Sequence, residues 1–329
     1  MGVKIRLRDL PANLEVLSDA GNESTVYRMP GGFSIPEHEG PFLFKRYKEN
    51  ESVLIGHEVA IESALDWIIS AYAAARPGYR RIIDEVAAWP VATVVTERGA
   101  AGLVMREIGP KFMREDLAGK SQQTPVAALE MWIQAEHKIR NRGLNPFTDD
   151  GRKRYVRRTL LYFSMVHSLG WIIGDISLNN ILAYVPGPSE QGTRCSPGFI
   201  EIDTYRPVHG GSAMPQRHTY EFMPPEASAW KKKAKALTAR GASSHEVASC
   251  LAKARVQTRE SDVYKAGLLI LRLYDQSDFP TQAKYQPSAT LHLARAFGNE
   301  ILAPVHAAVA AGPKDRPGMY ELAKAFLKE

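Results

Sequence analysis

Ile173-Gly174-Asp175-Ile176-Ser177-Leu178-Asn179-Asn180-Ile181-Leu182 and, further on, Phe199-Ile200-Glu201-Ile202-Asp203 are the stretches on which the reading of this chain turns. Each polar residue is framed by apolar, strand-forming neighbours. That pattern puts Asp175, Asn180 and Asp203 on loops at strand ends, where their side chains can converge on one cleft. One carboxylate can orient an attacking hydroxyl. An amide oxygen and a second carboxylate are hard oxygen ligands suited to Mg²⁺, and phosphoryl transfer needs such a set.

The surroundings divide into two characters. Upstream, residues 14–17 and 25–29 flank a turn containing Asp19, Gly21 and Asn22 and read as a hairpin, and residues 42–47 read as a third strand. Residues 52–74 carry apolar side chains at helical spacing, and strands are expected at 91–96 and 103–108. Beyond Gly109 the pattern turns helical. Long helices are expected over 125–140 and 152–169, short strands at 171–173, 181–184 and 199–202, and mostly helix after Pro225. The expected fold is α+β, with a small β-rich part carrying one helix (1–108) and a larger, mainly helical part (109–329).

Composition sets the outer bounds. The 329 residues are 44% hydrophobic and 24% charged, which excludes wholesale disorder. No apolar run approaches the ~20 residues of a membrane span. The start has no signal-peptide stretch, and Arg6 stands where a myristoylation site needs Ser or Thr. Two cysteines, Cys195 and Cys250, cannot build a disulfide framework or a multi-cysteine zinc site. A cytoplasmic protein without membrane contact is expected. Between residues 227 and 260, eight basic residues stand against Glu246 and Glu260, which accounts for the whole formal net charge of +6. The high isoelectric point is therefore local. This basic insert is expected to dock an acidic partner or to form a pair of solvated helices; nucleic acid is not the expected ligand.

Taken together, these motifs resemble the eukaryotic-type protein kinase superfamily over most of the chain, with features similar to its bacterial Ser/Thr branch (Trp89-Pro90; Gly102 through Met105). Asp175 and Asn180 resemble the H-R-D-L-x-x-x-N catalytic loop, and Asp203 stands at the D-F-G aspartate. Pro225-Glu226 is similar to the end of A-P-E. Residues 261–267 are similar to the central buried helix, and Asp315-Arg316-Pro317 to the motif whose Arg pairs with that glutamate. The resemblance implies a bilobal fold with ATP and Mg²⁺ held between the lobes and transfer to a Ser/Thr hydroxyl of a protein substrate. It implies Asp175 as the catalytic carboxylate, Asn180 and Asp203 as metal ligands, and Lys45 on the strand Phe42-Leu43-Phe44-Lys45 as the phosphate anchor. The partner of Lys45 is then a helix glutamate, Glu62 or Glu58, with Glu62 at the better interval. Gly21 and Val26 cover the nucleotide, and Met105, Arg106 and Ile108 line the adenine pocket. A buried Glu226–Arg316 pair is also implied.

The chain departs from the family pattern at several points. Gly174 replaces the Arg of H-R-D, so switching by phosphorylation of the segment between Asp203 and Glu226 is not expected. Ser177 stands where Ser/Thr kinases place a Lys that meets the transferring phosphate; Arg217 or Arg206 could substitute. The glycine loop is reduced to Asp19, Gly21 and Ser24. These departures motivate the alternative of a nucleotide-binding pseudokinase acting as scaffold or switch. A small-molecule kinase and a basic nucleic-acid module are further rivals.

Overall fold

The computed structural model describes residues 2–19, 23–48, 57–113, 126–187, 190, 194–209, 217–277, 285–310 and 312–327. The chain is α+β, with a β-sheet N-terminal part and a helical C-terminal part. It forms two compact units, Met1–Ala127 with Gly198–Pro215, and Ala128–Pro197 with Gln216–Glu329. The segment carrying Asp203 thus belongs to the sheet unit rather than to the part beyond residue 108. The Ala88 amide donates to Phe199 O at 2.9 Å, and the Tyr205 ring meets Trp89 edge-on at 6.1 Å.

In the sheet unit, β1 (Val3–Arg6), β2 (Glu15–Ser18), β3 (Ser24–Arg28), β4 (Phe42–Tyr47), β5 (Pro90–Thr96) and β6 (Gly99–Arg106) make one sheet in the order β1-β5-β6-β4-β3-β2. Only β1 and β5 pair in parallel. The expected hairpin is β2–β3, while β1 and the helix α2 (Pro77–Val86) are additions to the expected elements. Alternation along β4 assigns its two faces. Phe42 and Phe44 enter a cluster with Met29, Val94 and Val104. On the opposite face, Tyr47 packs with Leu103 and with Ile61 and Leu65 of α1 (Glu58–Ala74). Trp89, wholly buried, donates its indole N–H to Ile68 O at 3.1 Å and ties α1 down.

The second unit contains α3 (Glu136–Asn141), α4 (Asp149–Ser168), β7 (Trp171–Ile172), β8 (Ile181–Tyr184), α5 (Pro225–Ala239), α6 (Ser244–Arg255), α7 (Arg259–Leu273), α8 (Pro287–Phe297), α9 (Leu302–Ala308) and α10 (Met319–Leu327). Helix α7 is buried along most of its length, and α4, α8, α9 and α10 pack against it. Its start is fixed by a capping box between Thr258 and Ser261.

Two expectations are corrected. The long helix over 125–140 is replaced, among the described residues, by a 3₁₀ turn at Leu129–Trp132 and the short α3. Backbone groups there pair outward: Ala128 bridges Leu182, and the Glu130 amide donates to Leu178 O. The strand expected at 199–202 ends at Phe199, and Ile202–Thr204 is a 3₁₀ turn entered through Glu201 in the left-handed region (φ 58°).

Gly102 is required by close approach. A Cβ there would lie 2.2 Å from the Lys45 carbonyl of the paired strand. Gly102→Ala should therefore push β4 away and cost about 1–3 kcal/mol in urea denaturation, as overpacking does. Gly31→Ala, whose Cβ meets nothing within 4 Å, should stay within ~0.5 kcal/mol of the parent.

Candidate functional site

Lys45 and Tyr47 stand two apart on β4, so the pleat points both to the same face. Lys45 is 4% exposed; its ammonium donates to Asp203 Oδ1 and Oδ2, both at 2.9 Å, and to Glu201 Oε2 at 2.7 Å. The Tyr47 hydroxyl donates to Asp203 Oδ2 at 3.0 Å. Burial alone would lower the Lys45 pKa, but the facing charges of Asp203 and Glu201 override it and hold the ammonium above its ordinary range. Burial, reinforced by Asp203, pushes the Tyr47 phenol far up, so it acts as a donor. The sheet unit therefore holds a buried cation facing two carboxylates.

The carboxylates that meet Lys45 are not the ones expected. Glu62 accepts from Lys4 at 2.5 Å on the partly exposed side of α1, and Glu58 stands in the first turn of that helix. Glu201 takes the expected place beside Lys45. Its signal was the Glu201-Ile202-Asp203 spacing, two acids separated by one buried isoleucine, but the left-handed Glu201 backbone that aims both carboxylates at Lys45 is a tertiary feature.

The other nucleotide-facing candidates are placed as follows. Val26 is half-buried and pairs with Lys45 across β3 and β4. Gly21 lies outside the described residues. Asp19 accepts from the Thr25 hydroxyl at 2.5 Å and pairs with Lys48, so its charge is partly neutralised. Met105 borders the α1 cluster. Arg106 engages Asp84 through its guanidinium and Trp89 O through its amide. Ile108 is buried, its Cδ1 so close to Gly198 that a Cβ there would lie 2.8 Å away.

The second unit builds the loop after β7. Asp262, wholly buried on α7, accepts the Ile173 amide at 2.7 Å and the Gly174 amide at 3.0 Å, and meets His167 Nε2 at 3.0 Å. Gly174 has φ 77°, a conformation strained for the Arg that H-R-D would place there. Beyond this anchor, Asp175 Oδ1 accepts from the Thr219 hydroxyl at 2.7 Å. Asp175 Oδ2 accepts from Asn180 Nδ2 at 2.9 Å. These bonds orient the Asn180 amide and leave its oxygen without a partner among the described residues. Ser177 is buried, and its hydroxyl accepts the Asn180 amide at 3.3 Å, so it shapes the loop.

Lys265 was not anticipated. Wholly buried on α7, it donates to Gly174 O and to Gln257 Oε1 at 2.8 Å, and burial pushes its pKa down to about 8. A cation below the loop thus arrives from α7, where Gly174 supplies none. The expected Glu226–Arg316 pair forms in bidentate geometry, at 2.8 and 2.7 Å, with Arg316 also donating to Ala310 O and Glu260 O.

Among the described residues no cluster of three or more His, Cys, Asp or Glu could hold a metal, and no helix is long and apolar enough to cross a membrane. No family model matches the chain, and no curated protein is significantly similar to it.

Lys45→Met strands two carboxylates around a buried site and should cost about 3–5 kcal/mol in chemical denaturation. Glu62→Gln, which breaks only the partly exposed Lys4 contact, should cost at most ~1 kcal/mol. His218 supplies a pH dependence. Burial, with Lys265 nearby, depresses its pKa to about 3, and its Nδ1 has no hydrogen-bond partner. The unfolded chain, titrating near 6.5, takes up the proton first, so the fold loses stability progressively as pH falls from about 6.5 toward 3. His218→Gln should flatten the acid limb of the stability–pH curve measured by thermal melting.

Proposed function

We propose that the chain is an ATP- and Mg²⁺-dependent kinase resembling the eukaryotic-type protein kinases, acting on Ser/Thr hydroxyls of a protein substrate. The observation that carries the reading is the buried Lys45 ammonium 2.9 Å from both oxygens of Asp203, two residues 158 positions apart in sequence. A strand lysine serving only as an edge gatekeeper would face solvent. Support also comes from Asp175 and Asn180, on one loop anchored by Asp262, and from Thr219, which donates to Asp175 from the segment before α5.

Taken singly, two side chains have the chemistry to hold the implied metal. The Asp203 carboxylate and the Asn180 amide oxygen are hard ligands, and Mg²⁺ is commonly held by one or two such groups, with phosphates and water completing its shell. When bound, Mg²⁺ would supply neutralisation of developing phosphate charge. In this reading Lys45 binds the α- and β-phosphates, and Asp175 accepts the proton of the attacking hydroxyl. The new oxygen–phosphorus bond forms as the bond to the β-phosphate oxygen breaks, and ADP leaves with that electron pair. Thr219 supports the acceptor side through Asp175. The reading also implies the cytoplasm, where ATP is abundant and the thiols of Cys195 and Cys250 remain reduced.

One observation favours the second reading, nucleotide binding without transfer. Both Asp203 oxygens are engaged by Lys45 and one also by Tyr47, so metal binding must rearrange that cluster.

Incubation with radiolabelled ATP and Mg²⁺ on the chain itself and on generic protein acceptors separates the readings. Transfer by the parent should fall by two or more powers of ten in Asp175→Ala, the loss typical of a positioned general base, while nucleotide binding followed by thermal shift persists. Binding without transfer in the parent selects the second reading, and absence of nucleotide binding defeats both.

A further inference from the structure

Residues 227–260 carry the chain's entire net charge, and they fold as an antiparallel hairpin, α5 against α6. Its turn is fixed by Gly241 (φ 71°) and a Ser243–Glu246 capping box. Where the hairpin approaches the start of α7 and the Pro313–Asp315 turn, a cleft of about 550 Å³ opens. Its lining includes Trp230, Lys253, Val256, Pro313, Lys314 and Glu260. We propose that this cleft docks an acidic peptide segment carrying an apolar side chain.

Three observations converge on that ligand chemistry. The floor is apolar and reachable: Val256 is 52% exposed, and the Trp230 ring is half-buried. Lys253 and Lys233 hold their ammonium groups 4.6 and 5.2 Å from that ring, so a side chain resting on Trp230 lies beside positive charge. Lys253, held over the Trp230 ring, and Lys314 are exposed and make no ion pair among the described residues, whereas Arg316 is committed to Glu226. The cleft lies in the ~300–1,000 Å³ range of ligand pockets, enough for one or two anchoring side chains.

A peptide suits the cleft better than nucleic acid. Glu226 and Glu260 line the same space as the lysines. A duplex bringing one phosphate charge per ~1.7 Å of axis cannot avoid them. A peptide can set its carboxylates on the lysines and its apolar side chain on Trp230. The cleft is remote in chemistry from the Lys45 and Asp175 clusters, and the inference stands apart from phosphoryl transfer.

The test is fluorescence anisotropy on the full chain without nucleotide. The probes are a short labelled peptide alternating glutamate with leucine, its glutamine–leucine counterpart, and a short labelled DNA duplex. The acidic peptide should bind saturably and the glutamine peptide about ten-fold or more weakly. The double variant Lys253→Glu with Lys314→Glu should lose about ten-fold or more, as reversal of two rim charges requires. Both lysines are exposed, so that variant should melt as the parent does, whereas Trp230→Ala weakens binding but also touches the hairpin's packing. Absence of acidic-peptide binding, equal binding by the double variant, or tighter binding of the duplex would overturn the proposal.

Discussion

A lysine buried in a β-sheet is costly unless its charge is answered, and Lys45 is answered twice over. The ammonium is removed from water on the central strand β4, and desolvation works against it. What keeps it charged is a segment folded back from far along the chain, bringing Asp203 and Glu201 within hydrogen-bond distance. Neither side is stable alone in that position: the carboxylates need the cation as much as the cation needs them. Together with the Ala88–Phe199 and Trp89–Tyr205 contacts, these pairings tie Gly198–Pro215 to the sheet unit despite its position in sequence. The left-handed backbone at Glu201 aims both carboxylates at one point.

The second unit solves a related problem with a different residue. A polar loop must leave β7 and return at β8, and its first residues, Ile173 and Gly174, are buried, so their amides need partners from the protein. Asp262, wholly buried at the start of α7, accepts two successive loop amides and a histidine ring. Lys265, one turn on, caps the Gly174 carbonyl from below. The loop is thereby held from the helix side, and Asp175, Asn180 and Thr219 are left to bond among themselves on the other. That division between a buried scaffold and a partly accessible polar cluster is the arrangement a preorganised site requires.

Much of this was legible in the primary structure. The run of apolar and aromatic strand formers in residues 42–47 identified β4 and put Lys45 inside it, and the framing of Asp175, Asn180 and Asp203 by apolar neighbours marked them as loop groups. The Glu226–Arg316 pair was legible as well, and its bidentate geometry follows from the planar fork of arginine. The partner of Lys45 was not. The interval from Lys45 that the resemblance implies favoured Glu62, but α1 turns that residue toward Lys4. Helical spacing over 125–140 was equally misleading, because Ala128 and Glu130 bond to residues 178–182 and helix is confined to the 3₁₀ turn at Leu129–Trp132 and to α3.

The sequence by itself determined the two secondary-structure regimes, the local origin of the net charge, and which polar residues would be carried on loops. These are properties of periodicity and composition, set by neighbours a few residues away. Only the tertiary structure decided that Glu201 rather than a helix glutamate answers Lys45, that Asp262 and Lys265 hold the Gly174 loop, and that the basic insert opens a cleft beside Trp230. The first two depend on pairings across 88 to 158 residues and on the unusual backbone angle at Glu201, and the third on the hairpin lying beside the Pro313–Asp315 turn. Local propensity carries no information about them, because the energy that selects them is the desolvation of charges brought together only once the chain has folded.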